Sequence, residues 1–566
     1  MTPAPDLIFS GGTVLTMDGD RTASVLAVAD GKVQAVGGEE LLATRGPRTE
    51  VVDLAGGAVL PGFQDAHVHA IAGGLQQLDC DLSGVHGAQE YRRAIAAFAA
   101  HHQGPWVEGS GWYGDVFAGG FPTREFLDDL VPERPAAFAS HDCHSLWVNS
   151  RALDLAGLDE HTPDPADGRI VRDGAGRPTG LLLEGAVDLV HRVRPLPDAQ
   201  RLRQALRRAQ STLHAAGVTA WQDAIIGEAL GLPDNYETYR AAAAEGWLRS
   251  RVTGALWWPR GGAGDDVARL IARRAAAVGR FTATAVKIVQ DGVCENLTAA
   301  VKRPYVGRPE ETGLSFFDPQ VLAENVRDLV AAGFDLHLHA VGDRAVAECL
   351  DAIELSVDPT LHGRDIRESR DVREVRHQIA HIDLIDPADV HRMARLGVIA
   401  NVQPLWARQD PVLVETKLPY LDEGHQHHHF VFGALHRAGV TLAMGSDWPV
   451  SDPTPLWGIH TAVNRTAPPA DPHALDQRSQ HDPLLPEERL PVLTALQGYT
   501  RCASRANRLD HVSGTLTPGL DADLVVLDRN PLDVPATELG SLRVRATAIA
   551  GAFVHEAWDR TPTPTA

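Results

Sequence analysis

Val59-Leu60-Pro61-Gly62-Phe63-Gln64-Asp65-Ala66-His67-Val68-His69 is a short apolar run that delivers two histidines two residues apart. In a strand, alternate side chains share a face, so His67 and His69 point the same way. At the mouth of a closed barrel, two such imidazoles can grip one metal ion. Neutral imidazole is the commonest metal ligand, and catalytic zinc sites keep a position for water. Taken alone, in a chain with 26 histidines, the pair reads equally well as two core or surface residues. The decision falls to partners further along.

Downstream, apolar strands alternate with helical segments. Counting Ala58 to Val68 as the first, further strands are expected at Val218 to Gln222, Val252 to Leu256, Ala285 to Val289, Phe334 to Leu338, Val375 to Ala380, Val398 to Val402 and Thr441 to Met444. Eight strands alternating with helices predict an α/β fold, a closed (β/α)₈ TIM-type barrel over residues 61–504. The spacing breaks once, between about residues 70 and 200, a stretch too long for a plain loop. It is expected to be an inserted α/β subdomain after strand one, covering the face where barrel enzymes place their chemistry. Trp112, Tyr113, Phe117, Trp147, His144 and Asn149 then become candidates to line a substrate pocket, the alternative being that they pack the insertion's own core. Glu184, closing an expected hairpin from Pro178, is a further candidate.

Short strands with Gly and Asp turns fill residues 6 to 60, and the same texture returns at Gly519 to Leu527 and Val544 to Val554. The economical expectation is one composite β-sandwich from residues 1–60 plus 505–560, the alternative being two unrelated flanking sheets.

Composition bounds the function. The chain has 566 residues, 44% of them hydrophobic, enough for a large core. With 52 Lys plus Arg against 74 Asp plus Glu, the net charge of -22 argues against nucleic acid or an anionic membrane as partner and for a soluble, self-repelling particle, and the expected partner is a small-molecule substrate. Five scattered cysteines without a CxxC pair suit reduced thiols of a cytoplasmic protein. No basic-then-apolar leader opens the chain, and no window reaches the ~18 apolar residues of a membrane span.

The expected strand ends carry the chemistry. Strand four holds Lys287 among apolar residues, where an unpaired amine is costly and where reaction with CO₂ would make a metal-bridging carbamate; a solvated edge lysine is the alternative. Strand five ends His337-Leu338-His339, strand six His377-Gln378-Ile379-Ala380-His381, and strand eight Gly445-Ser446-Asp447-Trp448-Pro449.

This ordered set resembles the amidohydrolase superfamily: Pro61 to His69 is similar to its opening motif, followed by a strand-four lysine, histidines of strands five and six, and a strand-eight aspartate. Val286 to Gly292, His339 to Val346, Gln403-Pro404, Pro122-Thr123-Arg124, Trp147 to Ser150 and the closing Gly514 to Leu527 resemble the branch of N-substituted formamide deformylases. The resemblance covers nearly the whole chain. It implies His67, His69, His339 and His381 as metal ligands, Lys287 as a carboxylated bridge, and Asp447 as ligand and general base. One or two divalent ions, zinc foremost, and a homodimer are implied with it. Two departures stand out: Ala380 where the branch has Glu before the strand-six histidine, and Cys143 where it has Gly.

The chemistry implied is hydrolysis of an amide-type, non-peptide carbon–nitrogen bond by metal-activated water. A deaminase, a lactone or ester hydrolase, or a non-catalytic binding protein would fit the same barrel. No GxSxG elbow supports a serine hydrolase. His337 and Gln403 are added as substrate-contact candidates. The run His425-Gln426-His427-His428-His429 is expected to be an exposed or substrate-facing loop rather than a second metal site.

Overall fold

The computed structural model describes residues 3–558 apart from 166, 230, 263 and 357–375. Its largest sheet has eight parallel strands: Phe63–Val68, Val218–Ile226, Arg251–Trp257, Phe281–Val289, Asp335–Ala340, Gln378–His381, Ile399–Val402 and Leu442–Met444. These are strands one to eight of a TIM-type barrel. Position 375, where the expected sixth strand began, lies outside the described residues.

Local sequence explains why helices alternate with these strands. Between strands six and seven, Asp386 accepts from the Ala388 amide, Pro387 opens the helix Pro387–Leu396, and Gly397 ends it at φ 67°. Each residue type suits its place: an acceptor at the cap, a ring with no N–H in the first turn, and a residue free to turn left-handed at the exit.

Strands one and eight are joined by the chain just beyond strand eight. The Asp447 amide donates to the His67 carbonyl at 2.7 Å, and the His69 amide to the Trp448 carbonyl at 2.8 Å. This approach needs Gly445, because a Cβ there would stand 2.6 Å from the His67 amide nitrogen.

The expected single strand Ala58 to Val68 is in fact two. Ala58–Pro61 pairs antiparallel with Leu524–Leu527 in a six-stranded sheet, and only Phe63–Val68 enters the barrel. Gly62 makes the corner: its amide donates to the Asp523 carbonyl at 2.8 Å, and a Cβ would meet the Thr219 side chain at 2.2 Å. The six-stranded sheet thus mixes strands from both ends of the chain. A second sheet of four strands, Lys32–Gly37, Val25–Ala29, Leu7–Ser10 and Glu50–Asp53, lies beside it. Leu26 and Val28 of the smaller sheet and Leu524 and Val526 of the larger share one buried apolar cluster.

Between strands one and two, a mixed sheet of six strands runs from Cys80–Asp81 to Pro178–Glu184. It buries one apolar cluster around Trp112, Phe138 and Trp147 and another around Trp106, Leu146 and Leu182. Among the described residues, no helix is long and apolar enough to cross a membrane.

Candidate metal centre

Strand register levels the polar side chains at one barrel rim. Lys287 pairs with His337, Val289 with His339, and Ala340 with His381. His69 stands at the start of helix Ala70–Gln76, one residue past strand one. The Asp447 Oδ1 is 3.1 Å from His69 Nε2 and 3.4 Å from His67 Nε2. Its Oδ2 is 3.8 Å from His381 Nδ1. The rings of His339 and His381 are 4.4 Å apart, and Lys287 Nζ is 3.5 Å from His67 Nε2. All six residues proposed from sequence therefore converge.

The donor set suits a divalent ion. One ligand atom each from His67, His381 and Asp447 lies within 4.8 Å of the others. His339 Nε2 and Asp447 Oδ1 are buried without a hydrogen-bond partner among the described residues, a costly state that a cation would relieve. Burial pushes the imidazoles of His67, His339 and His381 well below their ordinary pKa, so they are neutral, the form that binds metal. Burial also brings the Lys287 amine down to about 8. His381 at φ 78° and Asp447 at φ 56° hold backbone conformations uncommon outside glycine, as residues at functional sites often do.

A second layer orients the first. His337 Nε2 lies 2.9 Å from His67 Nδ1, and His337 Nδ1 lies 2.7 Å from Gln222 Oε1. An amide oxygen can only accept, so His337 Nδ1 carries a proton; its Nε2 accepts from His67 Nδ1, and His67 Nε2 keeps a free lone pair facing Asp447. Gln403 Oε1 accepts from His381 Nδ1 at 3.0 Å. Asp65 accepts from the His67 amide at 2.9 Å and from Ser446 Oγ at 2.6 Å, and burial lifts its carboxyl to about 7. Asp291 takes the amides of Ala300, Val341 and Gly342 at 2.8 to 2.9 Å, tying the loops after strands four and five together.

These contacts correct two assignments. His337 and Gln403 are buried behind the ligands and do not line the cavity, so they position histidines rather than touch substrate. Gln222 and Asp65 were missed. Asp65 had a signal, since it shares the strand face of His67 and His69; Gln222 had only the oddity of a polar residue inside an apolar strand.

Above the centre opens a cavity of about 1240 Å³. His67, His69, Lys287, His339, His381 and Asp447 form its floor, Trp406, Leu413 and Phe430 part of one wall, and Tyr113, Cys143, His144 and Glu184 of the inserted sheet its cover. Trp406 stacks on His381 with the ring planes 10° apart. Trp112, Phe117 and Trp147 pack instead in the insertion's own core, where the Trp112 indole donates to the Phe138 carbonyl. Asn149 is likewise structural: its Oδ1 accepts from the Ala136 and Ala152 amides, and its Nδ2 donates to the Val131 and Arg134 carbonyls. All four of its bonding positions are thereby used. His144 and Glu184 do reach the cavity.

The histidine-rich run is not an exposed loop. It lies in and just after a short helix, Glu423–His427, with His425 and His429 buried and none of its histidines lining the cavity.

Comparison with known proteins agrees with this architecture. The amidohydrolase family model matches residues 50–555. Protein LONG AFTER FAR-RED 3 of Arabidopsis thaliana is 31% identical over 560 residues, covering 96% of this chain and 91% of that protein. The N-substituted formamide deformylase of Arthrobacter pascens is 27% identical over 577 residues, covering 98% and 99%. The crystal structure of an uncharacterized metal-dependent hydrolase from Pyrococcus horikoshii OT3 shares the fold, with a TM-score of 0.70 and 24% identity over 94% of this chain and 99% of that one. From motif to family model, the chain belongs to the amidohydrolase family.

Proposed function

We propose that the protein hydrolyses an amide-type, non-peptide carbon–nitrogen bond with a divalent metal at the rim of the barrel. The observation that carries this reading is the meeting of His67, His69, His339, His381, Lys287 and Asp447 beneath one large cavity. The formamide deformylase among the relatives favours the amide class. His67, His69, His339, His381 and Asp447 would hold zinc, with Lys287 as a second-ion bridge once CO₂ has converted its amine to a carbamate. When bound, the metal supplies Lewis acidity and lowers the pKa of water from ~15.7 toward ~7.

The chain's own residues do the rest. Asp447 accepts a water proton and returns it to the leaving nitrogen. Gln222 and His337 keep the His67 lone pair pointed inward, and Gln403 does the same service for His381. The insertion, resting over the rim, keeps bulk water from the reacting bond, while residues 1–60 and 505–560 act as one composite domain beside the barrel.

The test is a panel of N-acyl amines, cyclic imides, ureas, esters and lactones, run with protein stripped by a chelator and then reloaded with zinc. Turnover of amides that disappears on stripping and returns with zinc is expected. Faster turnover of esters or lactones would move the assignment to that class, and no turnover of any member by zinc-loaded protein would end it.

A further inference from the structure

Tyr113 of the insertion reaches the cavity and has no part in the scheme above. It follows the strand Val107–Trp112, and its amide donates to the Tyr91 hydroxyl at 2.9 Å. Its ring stacks on that of His141 at 4.1 Å between centroids, with the planes 5° apart, and on that of His473 at 3.8 Å, with the planes 18° apart. Two rings so close cannot share one face, so both faces of the phenol are covered, one by the insertion and one by the barrel. His141 is fixed through its amide, which donates to the Trp112 carbonyl at 2.9 Å, and His473 through its Nε2, 2.6 Å from the Ser83 carbonyl. Only the edge and the hydroxyl of Tyr113 are left to meet the cavity, and the residue is 8% exposed. The hydroxyl bonds to no group among the described residues and is not sealed off from water.

This hydroxyl stands within a small molecule's length of the metal centre. His141 and His144 both line the cavity, three residues apart, which spans at most about 11 Å of chain. The His144 ring in turn lies 5.9 Å from that of His339. The charges that act on the phenol are those of Asp471, Arg408 and Asp410. Arg408 is 3.2 Å from Asp410 and 2.9 Å from Asp471. One guanidinium between two carboxylates leaves a surplus of negative charge, which repels an anion, and the guanidinium already occupies the carboxylates that a cation would seek.

We infer that Tyr113 is a specificity-determining residue, whose hydroxyl bonds to an uncharged hydroxyl or carbonyl group that the substrate carries a short spacer away from the scissile amide. This rests on the hydrolytic reading and names the substrate class for it. With an ordinary pKa of ~10, which burial raises further, the phenol is neutral at pH 7 and can both donate and accept. The two stacked imidazoles hold it in place before the substrate arrives, so little side-chain freedom is lost on binding. A substrate ending in a methyl group there would displace the water on the hydroxyl and give nothing in return.

The experiment uses two series of amides, one varied on the acyl side and one on the amine side, with chains of two to six carbons ending in hydroxyl, methyl, carboxylate or ammonium. For zinc-loaded wild type, kcat/KM is expected to favour the hydroxyl over the methyl member about 10- to 100-fold at one chain length. Both charged members should fall below the hydroxyl one. Y113F should bring the hydroxyl-to-methyl ratio to within about twofold of one, a ratio that does not depend on how much of the variant is folded. Independently of turnover, ¹⁹F NMR of zinc-loaded D447N carrying 3-fluorotyrosine at its seven tyrosines, with Tyr113 assigned by loss of a line in Y113F, should show that line shift with the hydroxyl member and not with the methyl one. A methyl or charged member preferred at every length, a ratio kept in Y113F, or an unmoved Tyr113 line would each overturn the inference. If wild type turns over nothing, the hydrolytic reading falls while the ¹⁹F line still decides for or against Tyr113.

Discussion

Asp447 meets His67 at two points: its amide donates to the His67 carbonyl at 2.7 Å, and its carboxylate stands 3.4 Å from the His67 Nε2. The first contact closes the barrel and the second builds the metal centre. A side chain one atom different in chemistry but equal in shape should separate the two. D447N is expected to fold with the wild-type melting temperature and to bind zinc, yet to lose about 10³-fold in kcat, the share of a positioned base. Zinc analysis together with steady-state kinetics checks this, and undiminished kcat would remove Asp447 from its role.

Gln222 and His337 form a relay that sets which nitrogen of His67 is protonated. Replacing Gln222 by Met keeps volume and removes the acceptor, freeing His337 to present the wrong tautomer. Zinc affinity is expected to fall about 10- to 100-fold, as on loss of other groups that orient metal ligands. Competition with a chromogenic chelator measures it.

Gly445 lies where strand eight meets strand one. An Ala there would press its Cβ to 2.6 Å from the His67 amide nitrogen and 2.8 Å from Asp65 Oδ1, both held in place. G445A is expected to cost about 1–3 kcal/mol of stability and to weaken zinc binding, because the strain falls on a ligand-bearing strand. Denaturant melts and zinc titration report the two effects.

The insertion is tied to the barrel by a histidine pair. His473 Nε2 donates to the Ser83 carbonyl at 2.6 Å, so its Nδ1 accepts from His86 Nδ1 at 3.1 Å. His86 Nε2 lies 3.0 Å from Asp115 Oδ2. The hydrogen bond to Asp115 raises the His86 pKa against the opposing effect of burial, with the charges of Asp115, Asp410 and Asp471 adding to the rise. A raised pKa in the folded state gives stability that is complete below the ordinary imidazole value of ~6.5 and is lost as pH climbs through the folded value. Amide-exchange protection of residues 83–116 is therefore expected to weaken from neutral pH upward in wild type and to be flatter in H86Q. A pH-independent wild type would contradict the pairing.

Asn149 offers a control away from the metal. N149A leaves the Ala136 and Ala152 amides and the Val131 and Arg134 carbonyls without partners. A loss of at least about 2 kcal/mol is expected, with zinc affinity unchanged, as read by denaturant unfolding and zinc titration.

Period and spacing in the chain were enough to predict a (β/α)₈ barrel and a shared rim for His67, His69, Lys287, His339, His381 and Asp447. Alternation in a strand and the order of strands around a barrel are local rules, and local rules are written residue by residue. What needed the tertiary structure was everything that depends on which surface meets which. The run from Ala58 to Val68 reads as one strand, yet Gly62 turns it between two sheets because Thr219 crowds one side and Asp523 accepts on the other. Trp112 and Asn149 have the composition of pocket residues, yet Trp112 packs into the insertion's core and the Asn149 side chain is taken up by the insertion's backbone. His337 shares a strand face with His339 and Gln403 follows the end of strand seven, yet both lie one layer behind the ligands. Polarity along a chain shows that a side chain must find a partner; only packing between segments far apart in sequence decides whether that partner is a metal, a substrate or another side chain.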